Sequence, residues 1–142
     1  GIQAIVAGMT AHVEAAKVQE QGCAALWNVS MRAGNEAKVA DCTGIEAIVE
    51  GMKAHKKSCG VQEHGCGALW SLSWESTVRQ RRIAMAGGIE VIVKGMKAHQ
   101  RSCGVQEQGC RALGDLSCHD GNIARVGEAG GIEAVVAGMG AH

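Results

Sequence analysis

The segment Val18-Gln19-Glu20-Gln21-Gly22-Cys23-Ala24-Ala25-Leu26-Trp27-Asn28-Val29-Ser30 returns twice further along the chain, beginning at Val61 and again at Val105. The copies read VQEHGCGALWSLS and VQEQGCRALGDLS, and successive starts lie 43 and 44 residues apart. A period of this length constrains the fold more than any other property. A unit so small cannot bury an apolar face alone, so the units must stack on one another.

At about 100° per residue, Val18, Gly22, Ala25, Leu26 and Val29 fall on one side of a helix, with the i, i+4, i+7, i+8, i+11 spacing of a buried stripe. Glu20, Ala24, Trp27, Asn28 and Met31 gather on the opposite side, and function is expected on that second face. The opening element, GIQAIVAGMTAH, is repeated too, with copies starting at Gly44, Gly88 and Gly131. Its i, i+3, i+4, i+7 spacing, as in Ile45, Ile48, Val49 and Met52, predicts a helix of about three turns with one apolar stripe. The acid or amide near each start (Gln3, Glu46, Glu90, Glu133) suits the positive end of a helix dipole.

A third, shorter helix follows each long one, predicted over 35–41, 79–86 and 122–129, with Val39, Ile83 and Val126 as equivalent apolar anchors. Asn35 and Asn122 are the expected N-caps. The pairs Thr43-Gly44, Gly87-Gly88 and Gly130-Gly131 predict hinges at steep helix junctions. Gly60 and Gly104, in the polar links, are expected to take the left-handed conformation that ends or redirects a helix. The second unit carries one extra residue just before its short helix. The expected organisation is one domain over 1–142, with units 1–43, 44–87 and 88–130 and a partial unit 131–142.

Fourteen Lys and Arg balance fourteen Asp and Glu, so no global field recruits nucleic acid or an acidic membrane surface. No run of 18 apolar residues and no basic-then-apolar N-terminus occurs, so neither a membrane span nor a signal peptide is expected. The chain opens at Gly1 inside a unit, as a fragment of a longer array would. The seven cysteines are distributed by the repeat, with Cys23, Cys66 and Cys110 at one position in successive units. Packed helices lie about 8–10 Å apart, whereas a disulfide needs Cα atoms within about 7 Å. Buried free thiols are therefore expected, which points to a reducing, cytoplasmic setting, the nucleus included. With three Trp and no Phe, Tyr or Pro, the core must be built from Ile, Leu, Val, Met, Ala and Cys. Period-two alternation is scarce, so no sheet is expected.

The Gly-Gly-Ile-Glu hinge followed by Val-Gln-Glu-Gln-Gly-Cys-x-Ala-Leu resembles an armadillo repeat, and the resemblance covers essentially the whole chain. HEAT repeats are the nearest competitor, with two helices per unit and usually no Gly-Gly hinge. The resemblance implies an all-α fold, a right-handed α-solenoid of armadillo-like three-helix repeats of about 43 residues. It also implies a concave groove, lined by the third helices, for an extended peptide or partner protein. In importin-like members a Trp followed four residues later by an Asn clamps the peptide backbone. The matching positions here are Ala24/Asn28, Gly67/Ser71 and Arg111/Asp115, so only Asn28 carries that chemistry.

Trp27 and Trp70 stand three positions after the family's Trp site, and Trp74 is four beyond Trp70, all on the groove side of the wheel. Large rigid aromatics dominate interface hot spots. The competing reading has each Trp packing on the neighbouring long helix, over the space left by Ala24 and Gly67. Trp70 and Trp74, with Glu63 at the rim, form the expected anchor. Glu20, Glu63 and Glu107 make a carboxylate ladder that favours a basic or amide-rich partner or, more simply, forms a solvated face. Arg111 and Asp115 are spaced to pair at i, i+4.

His12, His55, His99 and His142 recur at the ends of the medium helices, and His55/Cys59 and His99/Cys103 form His-x3-Cys pairs. A structural zinc site needs four converging ligands and the first unit has Ala16 in place of the cysteine, so capping of helix C-termini is expected rather than a metal or cofactor. No third group orients a Cys–His dyad, and no phosphate loop or zinc-protease motif occurs. The function expected is a non-catalytic scaffold binding protein or peptide on the concave face; the alternative is a self-assembling array segment. Ile132, Val135, Val136 and Met139 at one end, and Ile2, Ile5, Val6 and Met9 at the other, lack a covering helix. Arrays need polar terminal caps, so homo-oligomerisation through the ends is expected.

Overall fold

The computed structural model describes all 142 residues, and every regular element in it is helical. The medium helices are α1 (Ile2–Ala11), α4 (Gly44–Ala54), α7 (Gly88–Ala98) and α10 (Gly131–Ala141). The long ones are α2 (Ala16–Ser30), α5 (Cys59–Ser73) and α8 (Cys103–Leu116); the short ones are α3 (Asn35–Asp41), α6 (Thr77–Met85) and α9 (Asp120–Glu128). The most extensive packing is between equivalent long helices, α2 on α5 and α5 on α8. No helix is long and apolar enough to cross a membrane.

One core runs through successive units and is aliphatic throughout. Ile45, Ile48 and Met52 of α4, Leu69 and Leu72 of α5, and Ile89, Ile92 and Met96 of α7 are completely buried. Three of the medium helices, α1, α4 and α7, send a methionine across a glycine of the long partner: a Cβ at Gly22, Gly65 or Gly109 would lie 2.6 Å or less from side-chain atoms of Met9, Met52 or Met96. The stripe expected on α2 is displaced in part. Gln19, Gly22, Cys23, Leu26 and Ser30 are its buried residues, while Val18 is exposed and Ala25 and Val29 are half-buried. Val61 and Val105, the equivalents of Val18, have a preceding unit against them and are fully buried.

The hinges turn on one left-handed residue each: Thr43 (φ 60°), Gly87 (φ 88°) and Gly130 (φ 79°). The glycine that follows serves close approach, since a Cβ at Gly44, Gly88 or Gly131 would lie 2.7–2.9 Å from the carbonyl oxygen of Val39, Ile83 or Val126. Gly60 and Gly104 are not redirecting residues. They lie inside the first turns of α5 and α8 without positive φ. Their lack of a side chain makes room for carboxylates of the preceding unit, Glu20 above Gly60 and Glu63 above Gly104. The helix starts there are capped by Ser58 and Ser102, whose hydroxyls accept from the amides of Val61 and Val105 at 3.3 Å.

Neither expected asparagine is an N-cap. Left-handed Gly34 precedes α3, and the Asn35 amide donates back to the Val29 carbonyl at 3.2 Å. Asn122 is buried within α9, where its amide donates to the Gln80 carbonyl at 3.4 Å; His119 caps that helix through Nδ1, which accepts from the Gly121 amide at 3.1 Å. Ser76 caps α6, which therefore begins at Thr77 rather than at residue 79. At the ends, Ile132, Val136 and Met139 are exposed and Val135 is half-buried. The first helix is better covered than expected: Val6 and Met9 are buried, because α2 lies against them.

Candidate functional site

The long helices are placed by glutamines. The Nε2 of Gln62 donates to the carbonyls of Met52 and His55 at 2.9 and 3.0 Å. Gln19 does the same to Met9 and His12 at 2.8 and 2.9 Å, and Gln106 to Met96 and His99 at 2.9 and 3.1 Å. The Met carbonyl of each pair is in the last turn of its helix and has no intrahelical donor, while the His carbonyl also accepts from the Ala15, Ser58 or Ser102 amide at 3.0, 3.0 and 2.9 Å, so the glutamines complete the ends of α1, α4 and α7. The amide oxygen then meets the next unit. A Cβ at Gly51 or Gly95 would lie 2.6 Å from Oε1 of Gln19 or Gln62, and Gly138 lies as close under Gln106. Sequence reasoning missed this device, although the signal was there: an identical Gln in all three copies.

The histidines also join units. Nε2 of His55, His99 and His142 donates to the carbonyls of Val13, Lys56 and Gln100 at 2.7, 2.8 and 3.0 Å. His12, His55 and His99 are C-caps by position, but His55 and His99 reach the preceding link rather than their own helix ends. The His-x3-Cys pairs do not converge. Cys59 Sγ lies 3.1 Å from Ser102 Oγ, and Cys103 Sγ lies 3.1 Å from His142 Nδ1. No group of three or more His, Cys, Asp or Glu side chains is placed to hold a metal ion.

All seven cysteines are free. Burial pushes the Cys23 thiol up from 9.0 to about 12. It raises Cys66 as well, with added repulsion from Cys23, Cys110 and Glu63, and it raises Cys110 by desolvation alone. Thiols held protonated in this way are poor nucleophiles.

On the outward face of the long helices, two of the three positions expected to face a bound peptide backbone, Ser71 and Asp115, are absorbed by the seams. Ser71 is buried, hydrogen-bonded to Ser30 of the preceding long helix and donating to the Ala68 carbonyl at 3.0 Å. Asp115 accepts from Ser73 at 3.4 Å; burial raises its carboxyl pKa, and hydrogen bonds from Ser73 and Trp70 act the other way. Asn28, at the equivalent position of the first long helix, is exposed. The expected Arg111–Asp115 pair is not formed. Arg111 pairs with Glu107 at 2.8 Å, and its guanidinium lies 4.9 Å from the Trp70 ring centroid.

The tryptophans divide. Trp27 lies flat over Gly67, where a Cβ would be 2.6 Å from the indole, and 6.2 Å from the His64 ring. Half-buried, with its Nε1 buried and unpartnered, it is committed to the seam together with half-buried Ala24. Trp70 and Trp74 instead meet edge to face, with centroids 6.1 Å apart and planes at 85°. With Ser30, Met31, Glu36 and Ser71 they line a pocket of about 230 Å³, and Trp74 is 52% exposed.

The extra residue of the second unit sets this corner. Trp74 is extended (ψ 124°), Glu75 turns left-handed (φ 49°), and α6 begins two residues later. Arg79 fastens the turn, with Nε donating to the Leu72 carbonyl at 2.6 Å and Nη2 to the Trp74 carbonyl at 3.1 Å. The acid at the pocket is Glu36 of α3, not Glu63. Glu63 sits in the second turn of α5, about 16 Å along the helix from Trp74 at 1.5 Å per residue. Glu20 pairs with Lys17 at 3.3 Å beside Gly60. No family model, no curated protein and no solved structure matches this chain.

Proposed function

We propose that the chain is an armadillo-type α-solenoid acting as a non-catalytic scaffold, and that it binds an extended polypeptide along the outward face of α2, α5 and α8. The observation that carries this reading is the Trp70–Trp74 corner. Two large aromatics open onto a pocket between units, on a turn whose left-handed Glu75 serves no core packing. Half-exposed Trp at a seam is the residue type that dominates hot spots. Seven free thiols suit the reducing, cytoplasmic setting this reading assumes.

The test is selection of peptides from a random extended library on the wild-type chain, followed by affinity measurement with Trp74→Ala and Trp27→Phe. Truncating a true anchor should cost about 2 kcal/mol or more of binding, with the unfolding midpoint unchanged, while Trp27→Phe should leave affinity alone. Selected peptides that bind Trp74→Ala as tightly as wild type would sink the proposal. The second reading, an array segment that works by stacking end on, is favoured by exposed Ile132, Val136 and Met139 of α10. Sedimentation separates the two, because Ile132→Lys would then abolish a concentration-dependent association that Trp74→Ala leaves intact.

A further inference from the structure

The cysteines that open α5 and α8 share one place in the repeat but have different neighbours. Cys59 and Cys103 are each the first residue of a long helix, exposed, and preceded by a capping serine. Cys59 Sγ faces the Ser102 hydroxyl at 3.1 Å, whereas Cys103 Sγ lies 3.1 Å from Nδ1 of His142. The first unit has Ala16 at this position. Spacing along the chain pairs Cys103 with His99; stacking of the units gives it the histidine of the following medium helix instead.

The tautomer of that histidine is fixed by its other contact. Nε2 of His142 is 3.0 Å from the Gln100 carbonyl, which can only accept, so Nε2 carries the ring hydrogen. In the neutral ring Nδ1 is then an acceptor aimed at the thiol, and Cys103 donates its S–H to it. A nucleophile, a base and a group that orients the base are thus brought together from the start of α8, the end of α10 and the link before α8. In other respects the two cysteines are matched. Each thiol stands at a helix amino terminus, and each has a carboxylate of the preceding unit close by, Glu20 at Gly60 and Glu63 at Gly104. Flanking cations favour the other cysteine, since Lys56 and Lys57 precede Ser58 while Gln100 and Arg101 precede Ser102.

We propose that Cys103 is a modification site that takes up a low-molecular-weight disulfide, with His142 as the base that activates it. The Sγ proton passes to His142 Nδ1, and the thiolate attacks one sulfur of the incoming disulfide. The new S–S bond forms as the old one breaks. The departing thiolate recovers the proton from the imidazolium and leaves as a thiol. Cys103 is oxidised and the departing sulfur is reduced, so no further reagent takes part. Polypeptide binding on the long-helix face has no role in this step.

Glutathione disulfide is the probe, added to the full reduced chain at neutral pH, with acid quenching and site-resolved mass spectrometry of Cys59, Cys103 and Cys118. Cys103 should be modified about tenfold faster than Cys59. His142→Gln keeps an amide donor for the Gln100 carbonyl but removes the base. It should bring Cys103 down to the Cys59 rate while Cys59 itself is unchanged. His142 is exposed, and an unchanged far-UV circular dichroism spectrum establishes that the fold is intact. Iodoacetamide, which is uncharged, should give the same order. Reaction of Cys59 as fast as Cys103, or a Cys103 rate that His142→Gln leaves alone, overturns the inference. So does a preference seen with glutathione disulfide alone, because attraction of its carboxylates to Arg101 then accounts for it.

Discussion

Replacing Gln62 by Met isolates what the glutamine amide contributes, because the two side chains have similar length and volume and no cavity opens. The native amide donates to the Met52 and His55 carbonyls at 2.9 and 3.0 Å, and Gln62 is 1% exposed. The Met52 carbonyl is buried and would be left without a donor, at a cost of about 1–3 kcal/mol. The His55 carbonyl keeps the Ser58 amide at 3.0 Å, so loss of its second donor adds about 0.5 kcal/mol at most. The expected loss is about 1–3 kcal/mol, a large share of the roughly 5–15 kcal/mol that holds a typical domain together. Urea unfolding followed by far-UV circular dichroism reads the difference. Gln108 supplies the internal control: it too is buried, yet its Oε1 has no partner. Gln108→Met should therefore be neutral within about 0.5 kcal/mol. A cost for Gln62→Met below about 1 kcal/mol, or equal to that of Gln108→Met, would refute the capping role.

Thr43 is a β-branched residue at φ 60°, where the other hinges place Gly87 and Gly130. Thr43→Gly removes about 1–2 kcal/mol of left-handed strain against a smaller entropic loss of about 0.5–1 kcal/mol, so the denaturation midpoint should rise; a fall would show that the threonine side chain itself holds the hinge. The thiols predict two behaviours. In the native protein, exposed Cys59, Cys103 and Cys118 should react with an aromatic disulfide reagent while Cys23 and Cys66 wait for unfolding. Because burial raises the folded Cys23 thiol from 9.0 to about 12 and raises Cys66 too, unfolded thiols ionise first. Stability from these groups is thus intact below pH 9 and declines as pH climbs from 9 towards 12, by up to about 1.4 kcal/mol per pH unit for each thiol. Wild type and Cys23→Ala/Cys66→Ala with identical slopes above pH 9 would contradict this.

What could be read from the sequence was whatever depends on one helix at a time. Periodicity located the ten elements, α3 to the residue, and the Thr43, Gly87 and Gly130 hinges followed from local backbone chemistry. Gln62 was invisible for the opposite reason: on a wheel it stands beside polar Glu63, and the carbonyls it satisfies belong to another helix. Gly60 and Gly104 read as turn residues because their cause, a carboxylate from the preceding unit, is 40 residues or more away. Trp27 and Trp70 share one position in the repeat and were indistinguishable until the facing residues, Gly67 and Arg111, were seen against them. Glu36 carries no such signal in the sequence, because it is on a short helix and its neighbours at the pocket, Trp70 and Trp74, belong to the next unit.

The seams are made of the same parts at each joint, which makes the joints interchangeable. Suppose residues 44–87 were excised and Thr43 joined to Gly88. Gln19 would then meet Gly95 where it now meets Gly51, and His99 would find the Val13 carbonyl now held by His55. Trp27 would face Arg111 as Trp70 does, and Ser30 would stand opposite Asp115 as Ser73 does. Every re-formed pair already exists at one joint of the chain or is the chemical equal of one that does. Such a molecule can lengthen or shorten by whole units without inventing a new contact, although this excision would take away the Trp70–Trp74 corner, which only one joint carries.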